Sequence, residues 1–177
     1  HHLIYFDFDN FKPFNDKYGF RNGDRLILMF ADLLKQAGFP KDRFVGHIGG
    51  DDFFLGIKDN TRERIIDEMT RLATKFKSGA ESFYDQPTME RGYMTGANRQ
   101  GVIQKIPLIT VSTAILEIPG NHGRHCSIED AVNMIAVLKK EAKYSDTGIA
   151  FASIIEFLDG DPLSIPRPGR SKPRNLA

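Results

Sequence analysis

The 177 residues suit one domain, or one domain with a tail, long enough to bury a core without disulfide staples. A formal net charge of +1, with 41% hydrophobic and 27% charged residues, gives no global field that would favour nucleic acid or an anionic membrane surface. The single cysteine, Cys126, excludes an internal disulfide and suits a reducing compartment, so the expectation is a soluble cytoplasmic unit. No apolar run reaches the roughly 18 residues a bilayer span requires, no signal-peptide pattern opens the chain, and no direct membrane contact is expected.

In chain order, Leu3 to Phe8 reads as a strand, and Asp9 as the cap of a short helix that carries Phe11 and Phe14 and stops at Gly19. Asp24 opens a longer helix in which Leu26, Phe30, Leu33, Leu34 and Ala37 recur at helical spacing, ended by Gly38 and Pro40. Phe44 to Ile48 and Phe53 to Ile57 form a hairpin around Gly49-Gly50. Asn60 with Glu63 resembles a capping box for a helix that buries Ile65, Ile66, Met69, Leu72 and Phe76.

Residues 77–106 are polar and glycine-rich, with a turn expected at Asn98 to Gly101, and read as an inserted hairpin suited to a partner surface. Pro107 to Ile115 is a strand, and Ser127 caps a helix with Ile128, Ala131, Val132, Ile135 and Leu138 inward. A last strand spans Ile149 to Phe157, which sets a domain of 1–158 and a loose polar tail of 159–177. Strands and helices in this order predict an α+β fold: a mainly antiparallel central sheet flanked by helices.

Chemistry concentrates at two acidic strand ends. Asp7 and Asp9 close the first strand, while Gly49-Gly50-Asp51-Asp52-Phe53 puts carboxylates on a tight turn. Side by side, Asp7, Asp51 and Asp52 would reach the same cation or cation pair, and oxygen-only ligands favour Mg²⁺, with Mn²⁺ as a substitute. The glycines permit close backbone approach to a nucleotide. Each piece also has a plainer reading: a solvated turn for the Gly-Asp pair, helix caps for Asp9 and Asp24, an Asx turn at Asn15-Asp16. Their combination favours phosphoryl or nucleotidyl transfer.

His122, His125 and Cys126 lack a fourth ligand at zinc spacing and fit a loop before a helix. No Walker-type phosphate loop occurs. Arg167, Arg170, Lys172 and Arg174 form a basic tail suited to solvation or linkage, and no basic aromatic face predicts nucleic-acid binding.

On the run Asp7 to Gly19, on Gly23-Asp24 and on Gly-Gly-Asp-Asp-Phe, Leu3 to Phe157 resembles the GGDEF domain family, whose members make cyclic di-GMP from two GTP molecules. The resemblance implies a sheet like that of nucleotidyl cyclases and polymerase palms, with a ferredoxin-like core. It also implies that Asp7, the Phe8 carbonyl and Asp52 hold Mg²⁺, with Asp51 nearest the ribose 3′-hydroxyl as metal ligand or proton acceptor, and with Asp51 and Asp52 catalytic. Asn15 and Asp24 would read guanine, whose N–H and amino groups suit such acceptors. Backbone N–H groups of Asn10, Phe11 and Lys12 would receive phosphate at a helix start, with Gly49 and Gly50 lining the nucleotide.

The sequence departs from the family pattern in three places. Asp52 stands where glutamate is usual. The phosphate-binding arginine expected after the last helix is missing, leaving Lys143, with Lys139 or Lys140, to serve; these lysines equally suit the helix dipole. The arginine and aspartate of the product-inhibition site are not found in Phe39 to Phe44. The 77–106 segment, His47 and the Asp7 run resemble GGDEF domains joined to EAL phosphodiesterase domains, which implies a linked EAL or sensor domain in the parent. The resemblance implies a diguanylate cyclase working as a face-to-face homodimer. A GTP-binding regulator without turnover, and a dimerisation module without nucleotide, stand as alternatives.

Overall fold

The structure is a computed structural model, and it describes residues 1–39, 43–58, 60–97, 101–120 and 127–155. The expected turn at Asn98 to Gln100, the trio His122, His125 and Cys126, and the tail 159–177 lie outside the described residues.

The elements run β1 (His2–Asp9), α1 (Phe11–Tyr18), α2 (Phe20–Gln36), β2 (Arg43–Gly49), β3 (Asp52–Ile57) and α3 (Arg62–Ala80). A short 3₁₀ turn at Glu81–Phe83 precedes α4 (Gln86–Arg91), β4 (Tyr93–Ala97), β5 (Ile103–Pro107), β6 (Thr110–Glu117), α5 (Ile128–Tyr144) and β7 (Ile149–Ser153). Five strands form the central sheet in the order β2-β3-β1-β6-β7, and β4 and β5 form a separate ribbon. All central pairings are antiparallel except β6 with β7, which bear out the α+β expectation.

β1 is the central strand, and its two alternating faces serve two cores. Ile4, Phe6 and Phe8 point with Phe53, Leu55 and Ile57 toward α2 and α3. The Phe8 ring lies 5.1 Å from Phe30, 4.6 Å from Phe76 and 5.9 Å from Phe53, so one aromatic cluster pins both helices beneath the β1–β3 pair. Tyr5 faces the opposite way, packed with Ala114, Leu116, Met134 and Leu138 under α5. A single substitution such as Phe30→Ala would open this cluster at a cost of about 3–5 kcal/mol.

Several local expectations are corrected by tertiary contacts. Asp9 does not cap α1; its carboxylate accepts from Thr110 Oγ1 at 2.7 Å and Ser112 Oγ at 2.8 Å, because β6 lies directly alongside. The cap residue is Asn10, at φ 62°, with its amide donating to the Pro107 carbonyl at 3.3 Å. α2 begins at Phe20, one turn before Asp24, since the break at Gly19 already reorients the chain. Thr61, not Asn60, caps α3 by accepting from the Arg64 N–H.

The 77–106 segment is more than a hairpin: α3 continues to Ala80, α4 follows with Asp85 as its cap, and only then does the β4–β5 ribbon begin. β7 ends at Ser153, short of the expected Phe157. The Ser127 cap is present as a full capping box with Asp130. Along α5 the buried stripe is Ala131, Met134, Ile135, Leu138 and Ala142, while Ile128 is 86% and Val132 60% exposed. α5 packs mainly on β6 and β7, and Val132 lies at its edge toward β3, on an open cleft it shares with Leu3 and Phe54. Among the described residues no helix is long and apolar enough to cross a membrane.

Candidate active site

The site forms where β1 ends beside the β2–β3 turn. Pairing of Phe6 with Phe53 carries, one residue further, Asp7 alongside Asp52. A bulge between His47 and Gly49 tightens the hairpin, and Gly50 at φ 56° adopts the left-handed conformation that side chains resist. A β-carbon on Gly49 or Gly50 would meet nothing within 4 Å, so the ground before the turn is open. His47 braces the turn from behind, its ring stacked on Phe53 at 4.4 Å and its Nε2 2.9 Å from the Gly50 carbonyl oxygen.

Asp7 is buried, and its Oδ2 makes an ion pair with Lys143 but no hydrogen bond. Asp51 sits partly buried at the turn. Its carboxyl is pushed above the ordinary range first by desolvation and then by the charge of Asp7, against a backbone hydrogen bond and the charges of Lys143 and Lys139. Asp7 and Asp51 therefore share one electrostatic neighbourhood.

Asp52 is differently engaged. The Tyr5 hydroxyl donates to its Oδ1, Lys139 Nζ donates to the same hydroxyl, and the Lys139 ammonium lies 3.7 Å from Asp52 Oδ1. Lys139 and Lys143 are one helical turn apart, which is why α5 presents both to the strand ends. Lys139 and Lys140 stood as substitutes for the missing arginine; Lys139 faces the carboxylates and Lys140 is exposed. Tyr5 escaped the motif reading, although its position two residues before Asp7 puts it on the same face of β1.

The expected base-reading pair lies on α1 and α2. Asn15 is buried with Oδ1 lacking a hydrogen-bond partner, and it packs on Gly23, beside exposed Asp24. Asn10, Phe11 and Lys12 occupy the start of α1, where the first N–H groups of a helix have no intrahelical acceptor. The arrangement thus brings Asp7, Asp51, Asp52, Lys139 and Lys143 to one place and seats Asn15 against the segment that carries Asp24. Arg43, in the stretch searched for an inhibition site, donates instead to the Ala37 and Phe39 carbonyls, both at 2.9 Å, closing the end of α2.

Among the described residues no three His, Cys, Asp or Glu side chains gather closely enough to hold a metal on their own. Mg²⁺ commonly takes one or two carboxylates and completes its shell with water and substrate phosphate. Asp7 and Asp51 offer hard oxygen donors in one electrostatic neighbourhood, and a cation there would take over the contact that the Lys143 ammonium makes with Asp7 Oδ2.

A mixed sheet with an acidic hairpin beside its central strand defines a nucleotidyl-cyclase-like α+β domain. Residues 1–106 match the family described as diguanylate cyclase, GGDEF domain, and the chain belongs to that family. It is 40% identical over 58 residues to the diguanylate cyclase DgcS of Shewanella oneidensis, covering 33% of this chain and 19% of that protein. With the cyclic di-GMP phosphodiesterase PdeR of Escherichia coli it is 33% identical over 87 residues, covering 46% of this chain and 13% of that one. The chain thus spans well under half the length of these relatives. In fold it is similar to the GGDEF domain of DgcB from Caulobacter crescentus, solved with c-di-GMP, at TM-score 0.54 and 20% identity over 87% of this chain and 77% of that one. The diguanylate cyclase SiaD of Pseudomonas aeruginosa gives TM-score 0.58 at 20% identity over 85% and 49% of the two chains.

Proposed function

We propose that this domain binds GTP with Mg²⁺ and, as a face-to-face homodimer, condenses two GTP molecules to cyclic di-GMP with release of pyrophosphate. The observation that supports this most is the shared charge of Asp7 and Asp51 at the mouth of an open glycine turn. Mg²⁺, or Mn²⁺ in its place, would be held by Asp7 and Asp51, with the Phe8 carbonyl and Asp52 adjoining, and would offset the negative charge of the triphosphate.

The chain's own residues supply the rest. Asn15 and Asp24 select guanine by accepting from its N–H and amino groups. The start of α1, at Asn10 to Lys12, and Lys143 receive phosphate oxygens. The 3′-oxygen of one GTP bonds to the α-phosphorus of the other, the bond from that phosphorus to the bridging oxygen breaks, and Asp51 accepts the hydroxyl proton. Each domain seats one GTP, so two must face each other for the cycle to close.

A second reading, a GTP-binding regulator that turns over little within a longer EAL-linked or sensor-linked protein, is favoured by the engagement of Asp52 with Tyr5 and Lys139. Calorimetry with GTP and Mg²⁺ tests nucleotide binding, and its failure would leave only a dimerisation module. Chromatography of products from a forced dimer then separates cyclase from regulator. In a cyclase, changing Asp51 and Asp52 together to Ala abolishes cyclic di-GMP; product at an unchanged rate would overturn the assignment.

A further inference from the structure

The β4–β5 ribbon carries none of the residues assigned above to nucleotide or metal. Pairing of Tyr93 with Pro107, Thr95 with Lys105 and Ala97 with Ile103 puts these six on one face, while Met94 and Ile106 on the other face are buried against the domain. We propose that the outward face of the ribbon, together with the open edge of β5, is a docking site for an extended acidic segment of a partner protein.

Charge points to the partner. The Tyr93 ring has the Lys105 ammonium 4.7 Å and the Arg91 guanidinium 5.8 Å from its centre, and Lys17 on α1 adds to their field, since it and Arg91 both reach Thr88 Oγ1, at 3.5 and 3.4 Å. All three cations are exposed, and among the described residues none of them forms an ion pair. The carboxylate beside them, Asp85, is already taken up by the Tyr18 hydroxyl and by Thr88. An exposed contact between a cation and a ring is weak, so carboxylates brought alongside would replace it with stronger charge-assisted bonds.

The backbone supplies the second half of the site. β4 lies against α1 and α4 and pairs with β5, whereas among the described residues no strand lines the other side of β5, whose edge therefore offers N–H and C=O groups to an added strand. Such a strand turns alternate side chains to one face, where acidic residues would meet Lys105 and Arg91, and an apolar one would meet Ile103, which is 69% exposed. A second copy of this chain would bring Lys105 against Lys105 in an antiparallel pairing, and that repulsion disfavours self-association. Nucleic acid suits the face less, because the Tyr93 ring is already engaged by cations and a net charge of +1 gives no wider field.

The test is fluorescence anisotropy of a short labelled peptide in which glutamate and valine alternate, titrated with the 177-residue chain. A lysine–valine peptide and a labelled single-stranded RNA serve as controls. The acidic peptide should bind and the controls should not; Lys105→Glu and Arg91→Gln, each shown folded by circular dichroism, should weaken it by about tenfold, and Lys75→Glu, an exposed charge on α3, should leave it unchanged. Amide hydrogen exchange from Ile103 to Ile106 should slow when the peptide is bound. Absence of binding, an equal loss in Lys75→Glu, or unchanged exchange along β5 overturns the proposal. RNA binding more tightly than the acidic peptide, and lost in the same two variants, also overturns it and assigns the face to nucleic acid.

Discussion

Gly23 of α2 lies so close to the side-chain amide of Asn15 on α1 that a β-carbon there would fall 1.9 Å from Asn15 Oδ1. The glycine next to Asp24 is thus the floor on which the proposed base-reading amide rests. Gly23→Ala should displace Asn15 and weaken GTP binding by about tenfold or more, roughly 1.4 kcal/mol or above. Because alanine improves the helix by about 1 kcal/mol, overall stability should change little. Calorimetry beside urea denaturation separates the two effects; unaltered GTP affinity would remove Asn15 from the site.

On the proposed reading, the Lys143–Asp7 ion pair couples stability to cation binding. Removing the ammonium in Lys143→Met leaves a buried carboxylate unpaired; with the lysine half exposed, the loss should be about 1 kcal/mol rather than the larger cost of a fully enclosed pair. Thermal melts with and without Mg²⁺ should show a larger Mg²⁺-induced gain in the variant than in the wild type. Equal gains would place the cation elsewhere.

Asp51 sets a pH dependence of unusual sign for a carboxylate. Its folded-state pKa is raised above 3.8, so the native state binds more protons than the unfolded state between that value and the raised one. Its contribution to stability is accordingly lost as pH rises through that window, not as it falls. Asp51→Asn should flatten this segment of the stability profile and raise the midpoint of thermal unfolding at pH 7, while lowering Mg²⁺-dependent GTP affinity. A lower midpoint in the variant would contradict the burial of Asp51 and its crowding by Asp7.

Tyr84, Asp85 and Thr88 clamp α1. The Tyr18 hydroxyl donates to Asp85 at 2.8 Å with the Thr88 hydroxyl 3.1 Å away, and the Phe14 and Tyr18 rings meet Tyr84 at 5.5 and 5.3 Å. The Tyr84 hydroxyl accepts from the Ile109 N–H at 2.8 Å, while burial pushes its pKa to about 12. Hydrogen bonds from Tyr18 and the Thr88 backbone lower the Asp85 pKa to about 2, so the stability it lends is present above 3.8 and lost as pH falls toward 2. Tyr18→Phe should bring the Asp85 titration, followed by NMR, back toward 3.8 and weaken GTP binding roughly threefold by loosening α1. An unchanged Asp85 titration would show that the clamp does not run through Tyr18.

Elements written in neighbouring residues were legible from the chain. The Gly49-Gly50 hairpin, the Ser127 cap and the helical stripes of α2 and α3 depend on turn chemistry and periodicity within a few positions. Where a side chain had two plausible partners, local rules chose the near one. Asp9 read as a cap because a helix follows it, but Thr110 and Ser112, more than 100 residues on, offer it hydroxyl donors across β6. Val132 read as buried because its spacing allows it, but it sits at the rim of an open cleft with Leu3 and Phe54 and stays exposed.

The sequence by itself determined the family, the acidic turn and the strand and helix types, since each is carried by residue kinds at short, fixed spacings. Only the tertiary structure decided which carboxylate meets which cation. Lys139 reaches Tyr5 across 134 residues, and Lys143 reaches Asp7, because α5 crosses the one face of β1 from which Asp7 also projects. Pairings of that range follow from the order of strands in the sheet and the placing of a helix upon it, which no local pattern encodes.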